Sequence, residues 1–224
     1  NTQVKGVDEG DTVKTDGEYI YKIGGENNHS PTRVQIIKAY PADALSMTAE
    51  FSYTDINPIE LYLKDNYLVV VGRKNLKAID SSTSRTGDSL ASRQYWGGST
   101  AVLVYDLKSK TNPSLVREFY VDGTFYRGRM TDGILYIISN KYIPKETLSG
   151  SGKELLPGYV DSLKDKKYSE ISYENISYCP GVVEPNYIMI SSMNLNNLKE
   201  DVSVTTCLGS TQNIFCSQEN LYIA

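Results

Sequence analysis

The chain has 224 residues, 40 % of them hydrophobic and 22 % charged, with a net charge of −4. That length is ample for a buried core, while no apolar run approaches the roughly 20 residues of a membrane-spanning helix. Charges of both signs are interspersed, so there is neither a basic footprint for a nucleic-acid backbone nor a polybasic patch for a membrane surface.

In chain order, residues 11–14 read as extended and lead through the turn Asp16-Gly17 into Tyr19-Ile20-Tyr21; further strands are expected at 34–39 and 45–51. The same order returns as 59–63, the turn Asp65-Asn66, 67–70, then 102–107 and 115–121. It returns again as 126–130, the turn Asp132-Gly133, 134–137, then 187–192 and 202–208. A fourth copy begins at 213–216 and continues through Ser217-Gln218-Glu219-Asn220 to Leu221-Tyr222-Ile223. Each copy pairs a turn signal with a run of β-branched and aromatic residues, the pattern of a tight hairpin. No segment shows a sustained helical period.

A four-stranded unit that recurs and cannot bury both of its faces alone must stack on its neighbours. Stripped of inserted loops the unit is roughly 45–50 residues, the size of a propeller blade. A β-sandwich has regular strands too, but gives no reason for a fourfold repeated motif. The expected fold is therefore all-β: a partial β-propeller of about three and a half four-stranded antiparallel blades. Blade one is expected at about 11–53, blade two at 59–121, blade three at 126–208 and the half blade at 213–224. Alternate side chains on the inner strands, among them Leu61, Leu63, Leu68, Val70, Val102, Val104, Leu135 and Ile137, are expected between the sheets. An incomplete ring leaves edges that propellers ordinarily cover, so the chain reads as part of a longer protein, with self-association through its open edges as a second expectation.

Residues 1–17, beginning Asn1-Thr2-Gln3-Val4-Lys5-Gly6-Val7-Asp8-Glu9-Gly10-Asp11 and closing on Thr15-Asp16-Gly17, resemble the opening of secreted bacterial and archaeal proteins carrying a C-terminal β-propeller domain distantly related to WD repeats. Glu60-Leu61-Tyr62-Leu63, Leu156-Pro157-Gly158-Tyr159, Tyr178-Cys179-Pro180 and residues 217–224 extend the likeness over essentially the whole chain. The resemblance implies an exported parent and the N-terminal portion of its propeller. It implies no particular activity.

Growth in the repeat is confined to the loops between second and third strands, at 24–32, 73–100 and 140–186. Loops beyond about 12–15 residues in a compact domain are commonly functional. In a meander these loops open on the same side as the connections between blades, so that side is the expected binding face. The acids Asp8, Glu9, Asp11, Asp55 and Asp122 are expected on it, and the aromatics Tyr95 and Trp96 lie within one of its loops. Converging carboxylates suit a hard cation, calcium being the cofactor to test, although no Asp-x-Asp-x-Asp-Gly loop is present. They suit equally the acid and base of a polysaccharide hydrolase, or simply strand-capping turns.

The single histidine, His29, leaves no Ser-His-Asp triad or histidine-rich metal centre to assemble from this chain, and no Walker-type phosphate loop occurs. Of the three cysteines, Cys207 and Cys216 fall on successive extended segments where a bridge is feasible, while Cys179 has no sequence partner. Lys164-Asp165-Lys166-Lys167 reads as a solvated loop. The leading expectation is a non-catalytic extracellular propeller module that binds a protein or glycan at the cell surface. The alternative is a carboxylate-based hydrolase of the cell envelope.

Overall fold

The computed structural model describes residues 4–25, 33–74, 98–143, 156–178, 180–181, 184–211 and 213–223. No α-helix occurs among them; the architecture is strands joined by turns, with three short 3-10 turns. A first strand, β1 (Val7–Glu9), precedes a four-stranded antiparallel meander of β2 (Val13–Thr15), β3 (Tyr19–Gly24), β4 (Arg33–Lys38) and β5 (Ser46–Ser52). A second meander follows as β6 (Ile56–Lys64), β7 (Tyr67–Lys74), β8 (Ser99–Asp106) and β9 (Ser114–Asp122). The third starts with β10 (Thr124–Thr131) and β11 (Ile134–Lys141). It is interrupted by β12 (Gly158–Asp161), β13 (Tyr168–Glu170) and β14 (Ile176–Ser177), then resumes with β15 (Tyr187–Asn194) and β16 (Ser203–Leu208). A hairpin of β17 (Ile214–Cys216) and β18 (Leu221–Ile223) completes the described chain. Three blades and the opening hairpin of a fourth thus form a partial propeller.

The repeat seen in the sequence extends to its irregularities. The innermost strands of blades two and three each bulge at the third or fourth residue, at Ile59 and Tyr126, and the outermost strands of blades one and two bulge at Thr48 and Val116. A bulge re-aims the side chains that follow it, here Glu60 and Arg127. At the third hairpin Asp132 and Gly133 take φ of 49° and 76°, both positive, as a primed two-residue turn requires. Gly123, between blades two and three, has φ of 92°, and a Cβ there would lie 2.8 Å from the backbone of Asn140 and Lys141. No other residue fits that corner.

Strand alternation sorts the second blade's side chains onto two neighbours. Leu61, Leu68, Val70, Leu103 and Tyr105 pack toward blade one with Tyr21, Val34 and Ile36. Tyr62, Val69, Val71, Val102, Val104 and Phe119 pack toward blade three with Leu135, Ile137 and Met189. Of the eight inner residues expected to be buried, seven are at most 2 % exposed and Leu63 is half-buried.

Two features depart from a simple meander. The segment between β11 and β15, expected as a loop on the binding face, is partly folded. Its hairpin β12–β13 adds to the outer edge of blade two, where Tyr159 pairs Val121, and β14 runs parallel to β16 on blade three. The outer edge of β9 carries backbone donors and acceptors that need partners, and a strand rich in β-formers supplies them. Asp161 at the end of β12 then meets Arg117 of β9 in a pair with Nε and Nη2 at 3.1 and 2.5 Å from its oxygens, both side chains at most 1 % exposed. The remaining guanidinium nitrogen donates to the carbonyls of Leu198 and Glu200 on blade three. The neighbouring lysines are not merely solvated: Lys164 pairs with Asp201 and Lys166 with Glu118.

The second departure is β1. It pairs antiparallel with the innermost strand of blade three, Val7 opposite Thr131 and Glu9 opposite Arg129. The chain then crosses the inner edge of blade two, where Asp11 and Leu61 exchange backbone hydrogen bonds, before entering blade one. Cys207 and Cys216 are not bridged to each other.

Candidate functional site

The five acids expected on one face do not share one. Val7 pairs with the last residue before the Asp132-Gly133 hairpin, so β1 lies toward the hairpin-turn side rather than among the inter-blade loops. There Asp8 pairs with Lys14 at 2.7 Å and Glu9 with Arg129 at 3.1 Å, while Lys14 also donates to the Glu9 carbonyl. The reason is local: once β1 adds to β10, strand alternation points its acids at cations on the inner strands of blades one and three. Asp11 spends its carboxylate on the adjacent Thr12 backbone N–H. Asp122 is buried, and its Oδ2 accepts from Lys141 Nζ at 2.7 Å, the Tyr168 hydroxyl at 2.9 Å and the Gly158 N–H at 3.3 Å. It anchors the blade-three insertion to blade two. Among the described residues no group of three or more His, Cys, Asp or Glu is placed to hold a metal ion. Tyr95, Trp96, His29 and Cys179 lie outside the described residues.

Beneath β1 sits a carboxyl that the sequence reading did not single out. Glu60, re-aimed by the bulge at Ile59, accepts from the Tyr62 hydroxyl at 2.7 Å. Burial pushes its pKa above the ordinary carboxylate value, against the lowering influence of Tyr62, Arg129, Arg127 and Lys14. It is covered from above: a Cβ on Gly10 would fall 2.0 Å from Glu60 Oε2. A residue with a side chain at position 10 would displace either the carboxylate or the strand.

Asp55 lines an open concavity. A cleft of about 590 Å³ lies between the outer part of blade one and the facing side of blade two. Blade one supplies Phe51 and Tyr53 and the β5–β6 connection supplies Asp55; blade two supplies Lys74 from β7, Tyr105 from β8, and Leu115, Glu118 and Tyr120 from β9. The positions follow from period two: Phe51 and Tyr53, Leu103 and Tyr105, and Glu118 and Tyr120 are each two apart on one strand face. That spacing was the available signal, and it identifies the wall only once the two blades are known to face each other.

Aromatic packing shapes the floor. Phe51 and Tyr105 stack with centroids 4.5 Å apart and planes at 22°. The buried Tyr53 hydroxyl donates to that of Tyr105 at 3.0 Å, and burial followed by the facing phenol drives the Tyr53 pKa far above its ordinary value. Both phenols therefore stay neutral and act as hydrogen-bonding groups. At the rim, Lys74 Nζ sits 4.0 Å over the Tyr120 ring, a cation–π contact, and the Tyr120 hydroxyl donates to Glu118 at 3.3 Å. Burial, then Glu118, push the Tyr120 phenol well above its ordinary value, so it too remains protonated.

Comparison with known proteins agrees with this architecture. An uncharacterised protein of Archaeoglobus fulgidus is 27 % identical over 137 residues, which cover 55 % of this chain and 22 % of that protein. The matched stretch is thus about a fifth of the relative's length. No solved structure matches the chain significantly. The model of one family, described as the beta propeller domain, matches residues 1–224 throughout. With its repeated four-stranded meanders and a family match from end to end, the chain belongs to the β-propeller domain family.

Proposed function

We propose that this chain is a non-catalytic binding module, displayed outside the cell, which engages a protein or glycan through the cleft between blades one and two. The observation that carries the reading is the cleft: an aromatic floor with hydrogen-bonding phenols, rimmed by Asp55, Glu118 and Lys74, between two packed sheets. Concave, partly apolar sites with a few placed polar groups are the usual form of a ligand site. Glu118 accepts from Tyr120 and Lys166, whereas the carboxyl with a raised pKa, Glu60, lies under Gly10 and outside the cleft's lining. A polysaccharide hydrolase would need a protonated and an ionised carboxyl opposed across the substrate. The extracellular setting rests on the likeness of residues 1–17 to secreted proteins.

The test is a screen of the full-length protein against immobilised glycans and cell-surface peptides, with surface proteolysis of intact cells of the source organism. Retained ligand without turnover, and loss of the protein to external protease, are the expected results. Release of cleaved glycan, or complete protection from protease in intact cells, would overturn the proposal.

A further inference from the structure

The ligand class is legible in how charge and hydrogen-bonding capacity are distributed around the cleft. The lining carries two carboxylates, Asp55 and Glu118, and one ammonium group, Lys74 over Tyr120, while Lys166 pairs with Glu118 from outside the lining. With Glu118 matched by Lys166 and Asp55 by Lys74, the charges around the cleft balance. Its polar capacity is nevertheless underused. Two phenols, Tyr53 and Tyr105, share one hydrogen bond, so of their two O–H protons only one is spent between them. Lys74 carries three N–H donors, and among the described residues its partner is the face of a ring. Asp55 is half-buried at the lip and offers acceptors.

Apolar surface is equally well placed. The rings of Phe51, Tyr105 and Tyr120 line the same concavity, and Leu115 projects at its edge with 43 % of its surface exposed. A ligand that suits this cleft presents a C–H face to the rings, hydroxyls that both donate and accept around its perimeter, and no charge. A pyranose ring has that combination. A basic peptide would meet Lys74, an acidic one Asp55 and Glu118, and either would be desolvated without a net opposite charge to compensate.

We infer that the cleft between blades one and two is a subsite for a neutral glycan. One sugar ring packs on the Tyr120 and Phe51–Tyr105 wall, and its hydroxyls bond Asp55, Lys74 and the spare phenolic proton. This rests on the reading of the cleft as the module's docking site, and the experiment separates the two.

The full-length protein is titrated calorimetrically with a panel of neutral hexose and N-acetylhexosamine oligosaccharides, with oligogalacturonate as an anionic probe and oligolysine as a cationic one. Expected is binding of at least one neutral oligosaccharide with an affinity unchanged by added sodium chloride, since no charge is matched. Tyr120→Ala should weaken it about tenfold through loss of a stacking face. Asp55→Asn, which keeps shape and fold, should weaken it less. Thermal unfolding of both variants checks that the blades remain intact. If only a charged probe binds, and Tyr120→Ala abolishes it, the neutral-glycan inference is overturned while the docking site stands. If no probe binds, or binding ignores both substitutions, the cleft is not a glycan site; indifference to the substitutions by a bound probe also removes the docking reading.

Discussion

The two seams of blade two are built on one plan and finished differently. Toward blade three the apolar contact is overlaid by a hairpin that belongs to blade three but pairs with blade two, and by two buried ion pairs, Arg117–Asp161 and Lys141–Asp122. Toward blade one the inner strands pack as tightly, yet the outer part opens into the aromatic cleft. There the ties are lighter: a stacked ring pair, a phenol–phenol hydrogen bond, and Lys110 reaching Asp16 at 3.0 Å and Tyr21 at 2.5 Å. The contrast teaches that a propeller can hold one seam shut with charge and hairpin while leaving the outer part of another unfilled.

Breaking the closed seam should give the largest effect. Arg117→Ala leaves Asp161 charged and buried and removes two further hydrogen bonds to blade three. A loss of about 3–5 kcal/mol is expected in chemical denaturation. The double variant Arg117→Met with Asp161→Leu should recover most of it, because two apolar side chains leave no orphaned charge. A single variant with unchanged stability would show that the hairpin does not lock the seam.

Next comes the comparison of apolar residues across the two seams. Leu135→Ala, fully buried in the seam between blades two and three, should cost about 2–5 kcal/mol. Leu115→Ala, at the exposed lip of the cleft, should cost less than about 0.5 kcal/mol. Equal costs in paired denaturation curves would mean that the cleft is a packed part of the core. Within the open seam, Tyr105→Phe removes the phenol pair but keeps the ring stack, and should destabilise by about 1 kcal/mol.

The smallest effect concerns acid. Burial pushes the Asp16 carboxyl up, but bonds from the Tyr19 and Glu18 N–H groups, the Tyr21 hydroxyl and Lys110 outweigh it and hold the pKa at about 2, below the ordinary 3.8. A depressed folded value means stability present in full above the unfolded pKa and lost as pH falls through the folded one. Melting temperatures should therefore decline between pH 3.8 and about 2, and the decline should flatten in Asp16→Asn. An identical slope in the variant would remove Asp16 from the blade one–blade two tie.

The inner strands were legible because they carry strong, repeated signals. Turn chemistry at Asp16-Gly17 and Asp132-Gly133, followed by β-branched runs, set the hairpins, and alternation along Leu61-Tyr62 and Leu68-Val69-Val70-Val71 set which faces are buried. What was not legible depended on distant partners. Val7-Asp8-Glu9 is too short to show a period and pairs with a strand in the third blade, so nothing local in the sequence shows that its acids meet Lys14 and Arg129 rather than the inter-blade loops. Likewise Gly158-Tyr159-Val160-Asp161 looks like any loop until β9 offers it an edge. The cleft failed to stand out for a different reason. Tyr53, Tyr105 and Tyr120 are three among eighteen tyrosines, and only the stacking of blades distinguishes them.

The placement of β1 also bears on how the chain assembles. Its hydrogen-bonding partner, β10, lies beyond the whole of blades one and two in sequence, so the loop that must close is long and the pairing comes late. Until blade three has formed, Val7–Glu9 is an unpaired extended segment, the kind of backbone that recruits strands from other molecules. Asp8 and Glu9 answer that hazard before they ever meet Lys14 and Arg129. As bare negative charges they repel a second copy of the same segment, and as partners they recognise the cations of the correct edge. The residues that tie the strand in place at the end are thus the ones that keep it solitary while it waits.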